Sequence, residues 1–175
     1  MRSLRPPMVL GPALAILAAC ATTQAPTPPE VPAALRPPAG QNAYLEALAT
    51  GVQIYECSRK ADASFEWAFK APEATLADRA GHKIGKHYAG PTWESTDGSS
   101  VVGEVKARDA GPNPSAIPWL LLAAKTNNGA GAFAAAKSIQ RVSTVGGVAP
   151  KEPCTEGRLK EVARVPYTAS YYFYR

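Results

Sequence analysis

The chain has 175 residues, of which 46% are hydrophobic and 19% charged, enough apolar material for one core. The formal charge of +5 falls to +3 once the two arginines of the N-terminal leader are set aside. That mild basicity excludes an argument for nucleic-acid binding, and no internal repeat period is present.

Residues 1–19 read as a lipoprotein signal peptide: a basic start (Arg2, Arg5), an apolar run from Met8 to Leu17, then Leu17-Ala18-Ala19-Cys20. The run is about ten residues, half of what a membrane-crossing helix needs. Cys20 is the expected lipidation site, palmitate-bearing and anchoring the chain to the bacterial cell envelope by an acyl chain. Ala21 and Thr22 resemble cargo sorted to the outer membrane, facing the periplasm. The alternative is an ordinary secretion signal cut beside the same cysteine. Residues 20–40 carry six prolines (Pro26, Pro28, Pro29, Pro32, Pro37, Pro38), which predicts a disordered, semi-rigid tether about 60 Å long at about 3 Å per residue. Its last few residues, Leu35 especially, could instead wrap onto the domain.

Residues 41–175 form a single predicted domain of mainly antiparallel β structure, an all-β sandwich or partly closed barrel with long Gly/Pro-rich loops and little helix. Ala43 to Ala49 is helical in composition but runs directly into a strand. Gly51 to Cys57 alternates, with Val52, Ile54 and Glu56 on one face and Gln53, Tyr55 and Cys57 on the other. Phe65, Trp67 and Phe69 share a face of the next strand. Thr92 to Ala107 reads as a hairpin turning at Asp97-Gly98. Trp119 to Lys125 and Ser138 to Thr144 are further strands, and Ala130 to Lys137 carries a weak helical signal. Val162 to Tyr174 closes the chain as a long strand. Its run Tyr171-Tyr172-Phe173-Tyr174 puts rings on both faces, so one face either exposes aromatic surface or is covered by a second layer. A transmembrane barrel is not expected, because too few strands reach membrane length.

With Cys20 lipidated, Cys57 and Cys154 remain as an even pair in an oxidising compartment, and a disulfide between them is the expectation. It would close a loop of roughly 100 residues, worth about 4–5 kcal/mol in the loop-entropy model.

His87-Tyr-Ala-Gly-Pro-Thr-Trp-Glu94, Asp97-Gly98-Ser99 with Val102-Gly103, Ile117-Pro-Trp-Leu-Leu-Leu122, Ile139-Gln-Arg-Val142 followed by Thr144 and Gly146-Gly147, and the Tyr167…Tyr174 end stand in one order. Over Gly51 to Arg175 the chain resembles the family catalogued as domain of unknown function 3455. The resemblance implies no established activity. Some fungal relatives carry a malate-dehydrogenase label, but no strand–G-x-G-x-x-G–helix unit is present here.

Catalytic sets are incomplete. His82 and His87 are five apart and would face opposite ways on a regular strand unless Gly85 bends it. No H-E-x-x-H pattern, metal-ligand spacing or cofactor motif is found, and no serine sits in a G-x-S-x-G elbow. Aromatic rings beside amide and guanidinium donors are a better lead, as a glycan, peptide or amphipathic small ligand would use them. The expected binding residues are His87, Tyr88, Trp93, Glu94, Trp119, Gln140 and Arg141, with Gln53 near them. The sequence reading is therefore a lipid-anchored, non-enzymatic binding or interaction module. The alternatives are an envelope hydrolase or metal-dependent enzyme using His82, His87, Glu94 and Asp97, and a purely structural lipoprotein.

Overall fold

The computed structural model describes residues 24–175; the leader and Cys20 lie outside the described residues. Eight antiparallel strands form a closed barrel in which every strand pairs with its chain neighbour. They are β1 (Ala43–Arg59), β2 (Phe65–Ala77), β3 (Lys83–Tyr88), β4 (Thr92–Ser95), β5 (Ser100–Asp109), β6 (Trp119–Asn128), β7 (Ser138–Gly146) and β8 (Val162–Tyr174). Strand β1 closes the ring, pairing with β2 along one edge and β8 along the other. Of the two expected architectures, the barrel is the one formed, and its ring is closed, although β2 and β5 rise past the short β3 and β4 and are unpaired on that side there.

Two local expectations give way to tertiary pairing. Ala43 to Ala49, helical by composition, is the first half of β1. Ala47 stands opposite Tyr171 and Ala49 opposite Ala169, because a small barrel needs small side chains facing its large rings. The weakly helical Ala130 to Lys137 forms isolated turns. It tucks fully buried Phe133 under one end of the barrel against Phe173, with ring centroids 4.6 Å apart. That loop is a cork. Asp97 and Ser99, from the turn after β4, hold it through the Ala132 and Phe133 amides at 2.8 and 3.1 Å. Gly98, at φ +86°, makes the tight turn that places them.

The other end is built differently. β1, β2 and β8 are 17, 13 and 13 residues long against 6 and 4 for β3 and β4. They overrun the short strands and stand as a tall wall on one side of an open mouth. A bulge in the β1–β2 ladder between Ile54 and Tyr55 leaves Lys70 unpaired on this wall. Cys57 and Cys154 are joined across it, so the bridge expected from the cysteine count forms, tying the wall to the long β7–β8 loop.

The tether expected over residues 20–40 does not stand free across the described part. Residues 28–37 lie against the outside of the barrel as a strap. The single 3-10 turn Ala33–Leu35 packs on β5 and β6. Leu35 is fully buried, and its carbonyl accepts from Gln140 Nε2 at 2.6 Å. Val31 joins Ala43 and Trp119 around Val142, Tyr172 and Tyr174. Proline content does bar the strap from helix and sheet, but an extended chain can still bury its few apolar side chains on a neighbour.

Two stability outcomes follow. The Cys57→Ser/Cys154→Ser double variant should lose about 4–5 kcal/mol by urea unfolding, since the cross-link spans 97 residues; a loss under 1 kcal/mol would contradict it. Leu35→Ala should cost about 2–5 kcal/mol, the range for a filled core site. An unchanged urea midpoint would show that the strap is dispensable.

Candidate functional site

The barrel interior is packed at the corked end and open above the middle. Between these levels lies a cavity of about 380 Å³, within the range of small-molecule pockets. Its floor is a stack of aromatic rings. His87 on β3 and Trp93 on β4 pair directly across the ladder and lie nearly parallel, with centroids 4.4 Å apart and planes 13° off. Tyr171 of β8 meets both edge-on, at 5.1 and 5.2 Å. The space for Trp93 comes from Gly103 on β5: a Cβ there would sit 2.9 Å from the indole and 3.0 Å from Leu122. Leu120, Leu122, Val105, Ile117 and Pro72 complete the apolar walls.

Polar groups enter from three sides. Gln53, only 2% exposed, points inward from β1. Arg141, on β7, donates to the Pro118 carbonyl from Nε at 3.1 Å and from a terminal nitrogen at 2.8 Å, which sets the guanidinium at the cavity wall. Tyr55 donates to the Gly147 carbonyl at 2.7 Å. Yet Gln53 Nε2, Trp93 Nε1 and the hydroxyls of Tyr167 and Tyr171 are buried with no hydrogen bond of good geometry; Gln53 lies near the Tyr167 hydroxyl, and Tyr167 and Arg141 near the Tyr171 hydroxyl, close enough to act on their titration. Such groups are uncommon in native cores and each costs about 1–3 kcal/mol. Here four gather in one barrel interior, and three of them belong to residues of the cavity wall.

Protonation states can be read from the same contacts. His87 Nδ1 lies 2.8 Å from the Thr92 carbonyl; a carbonyl only accepts, so Nδ1 carries the proton. Burial, with the Arg141 charge adding to it, lowers the imidazole pKa from 6.5 to about 3, against the opposing Thr92 hydrogen bond. The ring is neutral, and Nε2 keeps its lone pair. Burial also raises the hydroxyl pKa values of Tyr167 and Tyr171, so both stay protonated.

The structure divides the residues expected from sequence. His87, Trp93 and Arg141 come together at the cavity. Tyr88 and Glu94 sit on the outer face of the β3–β4 hairpin, where the Tyr88 hydroxyl donates to Glu94 at 2.7 Å and Lys86 pairs with Glu94 at 3.1 Å. Gln140 faces the strap, bonded to Leu35 and accepting from the Tyr174 hydroxyl. Trp119 packs in the outer cluster beneath the same strap. Alternation explains this split: Gln140 and Arg141 are consecutive on β7, so one must face out.

The hydrolytic or metal set does not assemble. His82 is exposed in the β2–β3 turn beside Asp78, His87 is inside, Glu94 is on the outer wall and Asp97 is engaged by Ser99 and the cork. Hydrogen bonds from the Ser99 hydroxyl and from the Ala132 and Ser99 amides hold the Asp97 carboxyl far below its usual range, as a structural carboxylate. Among the described residues no group of three or more His, Cys, Asp and Glu side chains could hold a metal ion. Sequence reasoning named neither Tyr167 nor Tyr171 as site residues, although the period-2 pattern of β8 puts both on one face with Phe173. Leu120 and Leu122 were also missed; on β6 they alternate in the same way.

Residues 38–175 match the family model described as "Protein of unknown function (DUF3455)". The chain belongs to that family. The match covers the whole barrel and begins just after the strap. No curated protein and no solved structure matches the chain.

The buried neutral His87 makes stability depend on pH. The unfolded chain protonates this imidazole near pH 6.5, the folded one only near 3. Falling pH therefore favours the unfolded state by on the order of 1.4 kcal/mol per pH unit across that window. Urea midpoints at pH 7.0, 5.5 and 4.5 should fall more steeply for the wild type than for His87→Gln. Parallel curves would show that His87 is not held neutral.

Proposed function

We propose that this chain is a small-molecule-binding module of the bacterial cell envelope, lipid-anchored at Cys20 and taking an amphipathic ligand inside its barrel. One observation carries the binding part of the proposal: the open cavity presents apolar walls together with buried donors that make no hydrogen bond of good geometry within the protein. A group of closed eight-stranded barrels holds single small ligands in this position, because eight strands leave an interior just wide enough for one. A ligand that supplied acceptors to Gln53, Trp93 and Tyr171 would remove the cost of leaving them unpaired.

Of the three ligand classes expected from sequence, the cavity favours the amphipathic small molecule. A glycan would need polar groups all around it, and most of this wall is hydrocarbon or aromatic. A peptide would need an extended groove, and a cavity of about 380 Å³ holds one compact guest. The envelope location and the lipid anchor rest on the leader alone. They are tested by mass spectrometry of the mature N-terminus in the membrane fraction, where acylated Cys20 is expected; an unmodified N-terminus in the soluble periplasm would refute the anchor.

The binding reading predicts that a thermal-shift panel of glycans, peptides and amphipathic small molecules gives stabilisation confined to the last group. Val105→Trp, which fills the cavity, should abolish it while leaving the fold intact by circular dichroism. Absence of any shift across the panel would favour a purely structural envelope protein instead.

A further inference from the structure

Building on the binding role proposed above, the distribution of charge and of hydrogen-bond donors in the cavity identifies the head group. Three cations line the space, Lys70, Arg108 and Arg141, and no carboxylate does. Lys70 is at the mouth and already pairs with Glu56 at 3.4 Å. Neither Arg108 nor Arg141 takes part in an ion pair among the described residues, but Arg108 is exposed, whereas Arg141 is half-buried, held by the neutral Pro118 carbonyl and close to the Tyr171 hydroxyl. A guanidinium has five N–H donors in a planar fork, and two hydrogen bonds leave the rest unspent.

The uncharged groups have the same bias. Gln53 Nε2 and Trp93 Nε1 can only donate, and the Tyr171 hydroxyl is a ready donor. On the cavity wall the neutral His87 Nε2 offers a counterpart acceptor, available to a hydroxyl of the ligand or of the protein. A site with guanidinium donors to spare and surplus neutral donors is matched by an oxygen-rich anion, since charge-assisted hydrogen bonds to such a group are about twice as strong as neutral ones. The remaining wall is apolar and the volume modest, so the anion has to be carried on one compact hydrocarbon body.

We infer that the barrel binds an amphipathic monocarboxylate, with its carboxylate at Arg141 and Gln53 and its apolar body over the Trp93–His87 stack between Leu120, Leu122 and Val105. The carboxylate lies inward of the mouth, and the hydrocarbon part displaces water from the walls. Selectivity then falls on the head group: an alcohol forfeits the guanidinium contact, and an ammonium meets an uncompensated positive charge.

Head-group series on two bodies test this with the wild-type protein: octanoate, octanol and octylammonium on an eight-carbon chain, and 2-naphthoate against 2-naphthol on a ring. By isothermal titration calorimetry and thermal shift, at least one carboxylate should bind tenfold or more tighter than its alcohol, with octylammonium weakest. Arg141→Gln and Arg141→Lys, each checked for folding, should bring carboxylate and alcohol closer together, the Gln variant more so, while Lys106→Gln, outside the cavity lining and paired with Glu104, leaves the preference intact. Equal binding of carboxylate and alcohol, or a preference that survives in Arg141→Gln, would overturn the head-group assignment and leave the cavity reading standing. If no member of either series binds but another amphipath of the panel does, this assignment also falls. Failure of every compound, with Val105→Trp indistinguishable from wild type, would remove the binding role itself.

Discussion

The pairing of β1 with β8 is the constraint on which the rest of the structure depends. It closes the ring, and it sets a row of small side chains against a row of large ones. Ala47, Ala49 and Gly51 face Tyr171, Ala169 and Tyr167 along one ladder, so the rings of β8 can lean into the barrel without forcing the wall outward. Because β8 carries aromatic residues on both faces, one closed sheet cannot bury them all. Tyr167, Tyr171 and Phe173 fill the interior; Tyr172 and Tyr174 remain outside. At roughly 25 cal/mol per Å² of apolar surface, two exposed rings of 150–250 Å² each would forfeit several kcal/mol. The strap covers that face, and the fold acquires two apolar layers on either side of one strand.

The same alternation shows which features the sequence made legible. The hairpin at Asp97-Gly98, the long last strand, the β content and the Cys57–Cys154 bridge each depend on local spacing or on counting, and each is formed. The need for a second layer over the Tyr-rich strand was also legible, as a dilemma without its resolution. What resolved it is the proline-rich segment. Proline content says what a segment cannot form, whereas burial of Val31 and Leu35 depends on a distant surface of matching shape. Ala43 to Ala49 was unreadable for a related reason. Alanine is favourable in a helix by under 1 kcal/mol per residue, and pairing with β8 outweighs that preference.

For the site, residue chemistry was readable and position was not. Aromatics with amides and a guanidinium marked segments of the chain that line the cavity, and His87, Trp93 and Arg141 do meet there. Tyr88, Glu94 and Gln140 were drawn in with them because they are sequence neighbours of site residues, and on a strand a neighbour faces the other way. Trp119 is excluded by the same geometry, since it lies on the outer cluster under the strap. Strand phase relative to the barrel wall cannot be settled until the pairing partners are known, and those are up to 131 residues apart, as for Ala43 and Tyr174.

The two ends of the barrel divide the thermodynamic work. At the corked end polar groups are well satisfied: Asn127 donates to the Phe133 and Ala136 carbonyls, and Asp97 takes the turn and cork amides. Near the open end the hydrogen-bonding is looser by comparison, with Gln53, Trp93, Tyr167 and Tyr171 making no well-aligned side-chain bond beneath a mouth braced by the disulfide. Replacing Gln53 by leucine and Tyr171 by phenylalanine would relieve two unpaired groups without changing the ladder, so packing gives no reason for the polar atoms to be there. A purely structural barrel gains nothing from keeping them. Under the binding role proposed above they would serve as donors fixed by strands and stacked rings, which need little reorganisation when a guest arrives.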